Sequence, residues 1–254
     1  MQKVSSSFTE RAFGTLEEVR IMQRYSPEDA GIYSQLGVIG TTYEVSFNEL
    51  GRLLGNLQGM TVLDFGTGTG RSAHLLKTLG VENVIGVDHD ENMIAQAKAS
   101  HDERLEFHLI TDNTIPLPDE AVDVAISAHV FVEMRTLEEM QQAAKEIARV
   151  VKSNGTFIVI AINPASIGYE YKSYMYIKQD ELKSGDPVTC IVKGETPLEI
   201  DDTYWTEEDY RQVLESAGFI KIQATFPIAE GKEWLNEKKV APDMVLKCTK
   251  LTHK

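Results

Sequence analysis

Only two cysteines, Cys190 and Cys248, occur in the 254 residues. They are too few and too far apart for a disulfide framework or a cysteine-based metal site, which leaves two reduced thiols, Cys248 on a strand. No stretch approaches the ~18 apolar residues of a membrane span, and the opening MQKVSSSFTERAF lacks the apolar centre of a secretory leader. A cytoplasmic protein with no membrane partner is the expectation. Cations are scarce too: 25 Lys and Arg stand against 39 Asp and Glu, for a net charge of −14, and they are scattered. Nucleic-acid binding needs clustered Lys and Arg facing phosphates, so a nucleic-acid substrate is not expected. There is no internal repeat and no low-complexity tract. The rest is of ordinary globular composition, enough for one large domain or two small ones.

The most informative stretch is Val62 to Gly70, VLDFGTGTG. Thr61, Val62 and Leu63 read as a short buried parallel strand ending at Asp64. Gly66, Gly68 and Gly70 allow a tight turn and close approach to a ligand, where a Cβ would collide. Arg71 to Leu79 continues as a helix, so the loop lies at a helix N-terminus, which suits an anionic group. Val84 to Val87 is a second buried strand, ending at Asp88; a carboxylate there accepts from a ribose diol, as in dinucleotide folds. Further strands are expected at Leu105 to Ile110, Val122 to Ser127, Thr156 to Ile162, Phe219 to Phe226 and Met244 to Thr249. A helix capped by a Thr136/Glu139 box and carrying KEIARVVKSNG, and another capped by Thr206 and closed by Gly218, are marked by their ends. Alternating strands and helices predict a parallel sheet covered on both faces.

The GxGxG loop behind an acid, Asp88, the Thr111-Asp112-Asn113 turn and KEIARVVKSNG, taken in that order, resemble the motifs of the class I S-adenosylmethionine (SAM) methyltransferases over Thr61 to Ile162. In KEIARVVKSNG, Asn154 stands at the first glycine of the family's signature. The resemblance implies an α/β Rossmann-like, mostly parallel seven-stranded sheet of order 3-2-1-4-5-7-6, its last two strands an antiparallel pair at one edge. It implies SAM as cofactor, no metal, and a direct displacement at the sulfonium methyl. The cofactor-binding set it suggests is Asp64, Gly66, Thr67, Gly68, Gly70, Asp88, His89, Met93, Asp112, Asn113, Ser127 and His129. Asp112 or Asn113 would accept from the adenine amino group. Asp64 either reaches the cofactor's amino group indirectly or holds the glycine loop. Arg71 either steadies the methionine carboxylate or is a surface residue at a helix start.

The resemblance places residues 59–254 in the SAM-binding domain, with 1–58 as a helical lid and 163–205 as an insert shaping the acceptor pocket. That insert carries a run of tyrosines and a strand-like VTCIV. Tyr25, Tyr33, Tyr171, Tyr174, Tyr204 and Trp205 are the substrate-binding candidates; aromatics here either stack on a planar acceptor or pack a small core of the insert. His129 and Glu133, after the fourth strand, are the catalytic candidates. His129 titrates near neutrality and is placed to act as a base, or it packs beneath the cofactor. NPAS, DDTYWTEEDYRQVLESAGF and PIAEGKEWLNEKKVAPDMVLKC resemble the toxoflavin-synthase-like subgroup, which implies N-methylation of a small heterocycle; His129 stands where that subgroup suggests an aromatic. A catalytically silent SAM-binding module and a NAD-dependent dehydrogenase are the alternatives. The protein is expected to be a monomer or homodimer acting on a small molecule.

Overall fold

The computed structural model describes residues 25–99, 104–111 and 114–252. Asp112, Asn113 and the first 24 residues of the expected lid lie outside the described residues. Among the described residues two short helices come first, α1 (Pro27–Ser34) and α2 (Thr42–Leu54). α1 starts at a reciprocal Ser26/Asp29 capping box with Pro27 in its first turn, where the missing N–H costs nothing. α2 turns Tyr43, Ser46, Phe47 and Leu50 inward along one face.

The core then alternates: β1 (Thr61–Phe65), α3 (Arg71–Thr78), β2 (Asn83–Asp88), α4 (Glu91–Ala99), β3 (Leu105–Leu109), β4 (Val122–Ala128), α5 (Leu137–Val150) and β5 (Val151–Ile162). The insert contributes β6 (Tyr174–Tyr176), β7 (Pro187–Val192) and β8 (Leu198–Thr203). α6 (Glu207–Ser216), β9 (Phe219–Thr225) and β10 (Asp243–Lys250) close the fold. The large sheet has the order β3-β2-β1-β4-β5-β10-β9. β1 pairs in parallel with both β2 and β4, while β10 runs antiparallel to β5 and β9. This is the expected seven-stranded Rossmann-like sheet with its antiparallel edge.

Strand order reverses between β1 and β4. A crevice therefore opens at the carboxyl ends of β1, β2 and β4, where ligands bind in open α/β sheets. The central strands are buried on both faces, from Val62 and Leu63 on β1 to Phe157 through Ile162 on β5.

Three local expectations need correction. The Thr136 side chain accepts from the Glu139 N–H at 3.2 Å, but the Glu139 carboxylate turns to the Arg135 N–H at 2.7 Å, so the box is one-sided. α5 ends at Val150, and VKSNG begins β5 instead of extending the helix. Asn154 adopts φ +62°, the left-handed conformation a glycine would supply there and that asparagine tolerates. The insert, beyond the single strand expected, forms its own three-stranded antiparallel sheet, β6-β7-β8.

Candidate active site

The glycine loop between β1 and α3 is held from below by Asp64. Its carboxylate is fully buried and accepts from the Thr67 and Ser72 hydroxyls, each at 2.6 Å. Asp64 thus ties the first and last parts of the loop together and lines neither of the two neighbouring hollows. Burial pushes its pKa up to about 6, opposed by the two hydroxyl donors. Gly66, Gly68 and Gly70 all have positive φ, and a Cβ on Gly66 would collide with Val130.

Asp88 ends β2 beside the loop. It accepts from the Gly68 N–H at 2.8 Å and the Asp90 N–H at 2.9 Å, and burial raises its pKa against the pull of His89 and these backbone donors. Asp90, also buried, accepts from the Tyr25 N–H at 3.0 Å and from the amides of Asn92 and Met93. The segment before α1 is thereby docked onto the end of β2.

Around this corner lies a cleft with about 640 Å³ of empty space. Of the residues expected at the cofactor, Gly66, Thr67, Gly68, Asp88, His89, Met93 and His129 line it. Gly70 does not: it packs against Phe107 and Ala97. Ser127 is fully buried, its strand neighbour Ala128 taking the lining position. Arg71 is no surface residue. Its guanidinium lies over the rings of Tyr43 and Tyr33, at 4.0 and 4.8 Å, and donates to the Tyr33 hydroxyl at 2.9 Å. Its Nη1 is buried without a hydrogen-bond partner. A buried, unsatisfied cationic donor on a cleft wall favours an anionic ligand group there.

A second, narrower hollow adjoins the first, with about 340 Å³ of empty space counting what is open to solvent. Its wall includes Tyr43 from α2, Tyr174 and Tyr176 from β6, Cys190 from β7 and Asp202 from β8. Tyr25, Tyr33, His129 and Glu133 line both cavities and form the partition between them. The Tyr25 hydroxyl donates to Glu133 Oε1 at 2.9 Å. Tyr174 and Tyr176 donate to the buried Asp243 and Asp202 at 2.7 Å each. Burial first, and these carboxylates second, hold both phenols well above the ordinary tyrosine pKa, so they serve as neutral donors.

The structure separates the aromatic candidates. Tyr25, Tyr33 and Tyr174 face the cavities, whereas Tyr171, Tyr204 and Trp205 line neither. Tyr171 is fully buried with its hydroxyl on the Val240 carbonyl, and the Trp205 indole donates to the Met134 carbonyl at 3.1 Å. Both anchor the insert to the core, and Tyr204 packs partly buried against that core. Tyr43, Asp202 and Asp243 were not singled out from the sequence. Tyr43 sits on an amphipathic helix, and the two aspartates fall inside segments that carry the subgroup resemblance without marking them as site residues, so only assembly reveals them.

His129 follows β4 with φ +58°, a conformation costly outside glycine and typical of constrained sites. Its ring meets Tyr43 and Tyr174 edge-on, with centroids 5.7 and 6.2 Å away, and its side chain is 15% exposed. Burial lowers its pKa, Asp243 opposes this, and Arg71 adds to it. The imidazole is therefore neutral near pH 7 and available as a proton acceptor. Among the described residues no cluster of His, Cys, Asp and Glu is arranged to hold a metal, and no helix is long and apolar enough to cross a membrane.

Residues 63–159 match a methyltransferase domain family. The chain is 26% identical over 166 residues to N-demethylindolmycin N-methyltransferase of Streptomyces griseus, covering 63% of this chain and 70% of that one. It is 29% identical over 175 residues to demethylmenaquinone methyltransferase of Tropheryma whipplei, covering 66% and 70%. Among solved structures, the CcbJ methyltransferase of Streptomyces caelestis superposes with a TM-score of 0.65 at 17% identity, over 91% of this chain and 99% of that one. A SAM-dependent methyltransferase from Mesorhizobium loti gives 0.59 at 15% identity, over 84% and 100%.

Proposed function

Because the chain is a SAM-dependent methyltransferase of the class I fold, we propose that it methylates a nitrogen of a small planar heterocycle held in the tyrosine-lined cavity. The observation that carries this reading is the shared partition. Tyr25, Tyr33, His129 and Glu133 border the glycine-loop cleft on one side and an aromatic chamber on the other. An acceptor in the chamber would meet the methyl donor through that partition, and stacking on tyrosine rings suits a flat acceptor. The N-methyltransferase named above supports nitrogen as the acceptor atom, and the resemblance of the C-terminal segments to toxoflavin-synthase-like enzymes supports a small heterocycle.

The cleft suits SAM. The open backbone at Gly68, the Asp88 carboxylate and the unsatisfied Arg71 Nη1 fit a loop contact, a ribose diol and an amino-acid carboxylate respectively. SAM supplies a methyl group already activated by the positive charge on sulfur. The chain's own task is alignment and exclusion of water. Tyr25 and Tyr33 close the partition, Tyr43 and Tyr174 form the chamber wall, and His129 and Glu133 are the titratable groups placed to receive the acceptor's proton.

The test is to incubate the purified protein with SAM and a panel of planar N-heterocycles, alongside carboxylate, phenol and carbon acceptors. Methylated products, detected by a mass gain of one CH2, and matching release of S-adenosylhomocysteine are expected. Product found only with carboxylate, phenol or carbon acceptors would overturn the nitrogen assignment. Binding of SAM without turnover on any acceptor class would leave a silent SAM-binding module.

A further inference from the structure

At the partition, one contact reaches across β5, from the turn after β4 to the start of β10. His129 Nε2 points at Asp243 Oδ2, 3.8 Å away, on the first residue of the antiparallel strand β10. Asp243 is completely buried. It accepts from the Tyr174 hydroxyl at 2.7 Å and from the Ser46 hydroxyl. Donors from α2 and from the insert thus fix this carboxylate in position. His129 Nε2 itself is buried with no hydrogen-bond partner. A buried ring nitrogen without a partner, aimed at a carboxylate held by two hydroxyls, is an arrangement that sets a tautomer.

We propose, resting on the reading of His129 as proton acceptor, that Asp243 is its positioning residue. Asp243 holds the imidazole with its proton on Nε2 and its lone pair on Nδ1, turned to the acceptor. When the acceptor's nitrogen takes the methyl with its lone pair, the methyl–sulfur bond breaks with its electron pair left on sulfur; the N–H bond then breaks with its pair left on nitrogen, and the proton passes to Nδ1. The resulting imidazolium is paired with the Asp243 carboxylate. Proton-transfer contacts commonly tighten in the loaded complex, so 3.8 Å is within reach of a hydrogen bond.

Other groups facing His129 cannot replace Asp243. Arg71, from α3, carries the wrong charge and opposes protonation of the ring. Tyr43 and Tyr174 meet the ring with their edges and remain neutral. Glu133, which shares both cavities with His129, is engaged by the Tyr25 hydroxyl. The left-handed backbone at His129 is in keeping with a ring whose direction matters.

The decisive measurement is a nitrogen-15 and proton NMR titration of the full-length protein with bound S-adenosylhomocysteine, with the His129 signal assigned by its loss in His129→Gln. The wild type should show the Nε2–H tautomer in its neutral form. In Asp243→Asn the His129 midpoint should fall by about one pH unit or more, as expected on removing an opposite charge at this range. A turnover profile, once an acceptor is in hand, should shift its acid limb by the same amount. An Nδ1–H tautomer in the wild type, or an unmoved midpoint in folded Asp243→Asn, overturns the proposal. If Asp243→Asn does not fold, the wild-type tautomer alone decides. Neither readout needs the acceptor, so loss of the heterocycle reading would leave this result standing on its own.

Discussion

Tyr25 and Glu133 meet at 2.9 Å, hydroxyl to carboxylate, and join the segment before α1 to the turn after β4 across the wall between the two cavities. The same tyrosine is anchored through its backbone N–H to Asp90 and through its carbonyl to the Asn92 side chain. The glycine-loop corner and the wall of the tyrosine-lined chamber are therefore mechanically connected through one residue.

Removing the hydroxyl should leave the backbone anchor intact and loosen only the partition. For Tyr25→Phe we expect kcat/KM for the acceptor to fall by roughly five- to twentyfold, consistent with a hydrogen bond to a charged group worth about 1–2 kcal/mol. S-adenosylhomocysteine affinity, measured by calorimetry, should change less than about threefold. A larger loss of cofactor affinity than of turnover would mean that Tyr25 belongs to the cofactor site instead.

Asp88→Ala tests the ribose contact. It removes charge-assisted acceptors worth on the order of 1.5–3 kcal/mol, so SAM affinity should drop by about ten- to a hundredfold. Because Asp88 also receives the Gly68 N–H, Asp88→Asn is the companion variant; it keeps one acceptor oxygen for the loop. Full affinity in a folded Asp88→Ala protein would show that the diol is held elsewhere.

Gly66 turns with φ +71°, and a Cβ there runs into the Val130 side chain. Gly66→Ala should lower stability in urea by about 2–3 kcal/mol, from backbone strain and overpacking together. Adding Val130→Ala should recover the packing share and leave the strain. A double variant no more stable than Gly66→Ala would contradict this division.

Asp64 has a pH signature of its own. Its folded pKa of about 6 lies above that of an unfolded aspartate, so the folded state holds more protons between pH ~4 and ~6. Its contribution is greatest below that window and is lost as pH rises through it, by on the order of 3 kcal/mol. Other carboxylates titrate in the same range, so the informative quantity is a difference. The stability of Asp64→Asn relative to wild type should rise as pH increases from about 4 to 6.5, followed by denaturant midpoints. A constant difference across that range would show that Asp64 ionises as it does in the unfolded chain.

Much of the fold is legible in local patterns. The glycine loop, the first strand (which runs one residue past the expected end at Asp64), the strand end at Asp88, the caps at Thr136 and Thr206 and the buried runs of β4 and β5 are each properties of a few adjacent residues. Strand order followed from the resemblance those motifs support, and the antiparallel pair β9 and β10 lies where it implies. Local patterns were less informative for the tyrosines. Tyr171 and Tyr174 lie three residues apart in one run, yet only Tyr174 reaches the chamber while Tyr171 is consumed as a packing anchor. Which residue faces the ligand depends on how the insert's sheet docks on the core, and no local spacing encodes that.

By itself, the sequence determined the glycine-loop corner, because a loop that turns tightly against a strand end needs particular glycines and a strand-end acid near one another along the chain. The tyrosine-lined chamber was decided only by tertiary structure. Its members come from α2, the turn after β4, the insert and β10, and Asp243 lies 197 residues from its partner Ser46. Glycine turns, caps and strand ends are short-range constraints and leave short-range marks. A carboxylate buried between hydroxyls from two distant segments becomes a site only when the chain has brought those segments together.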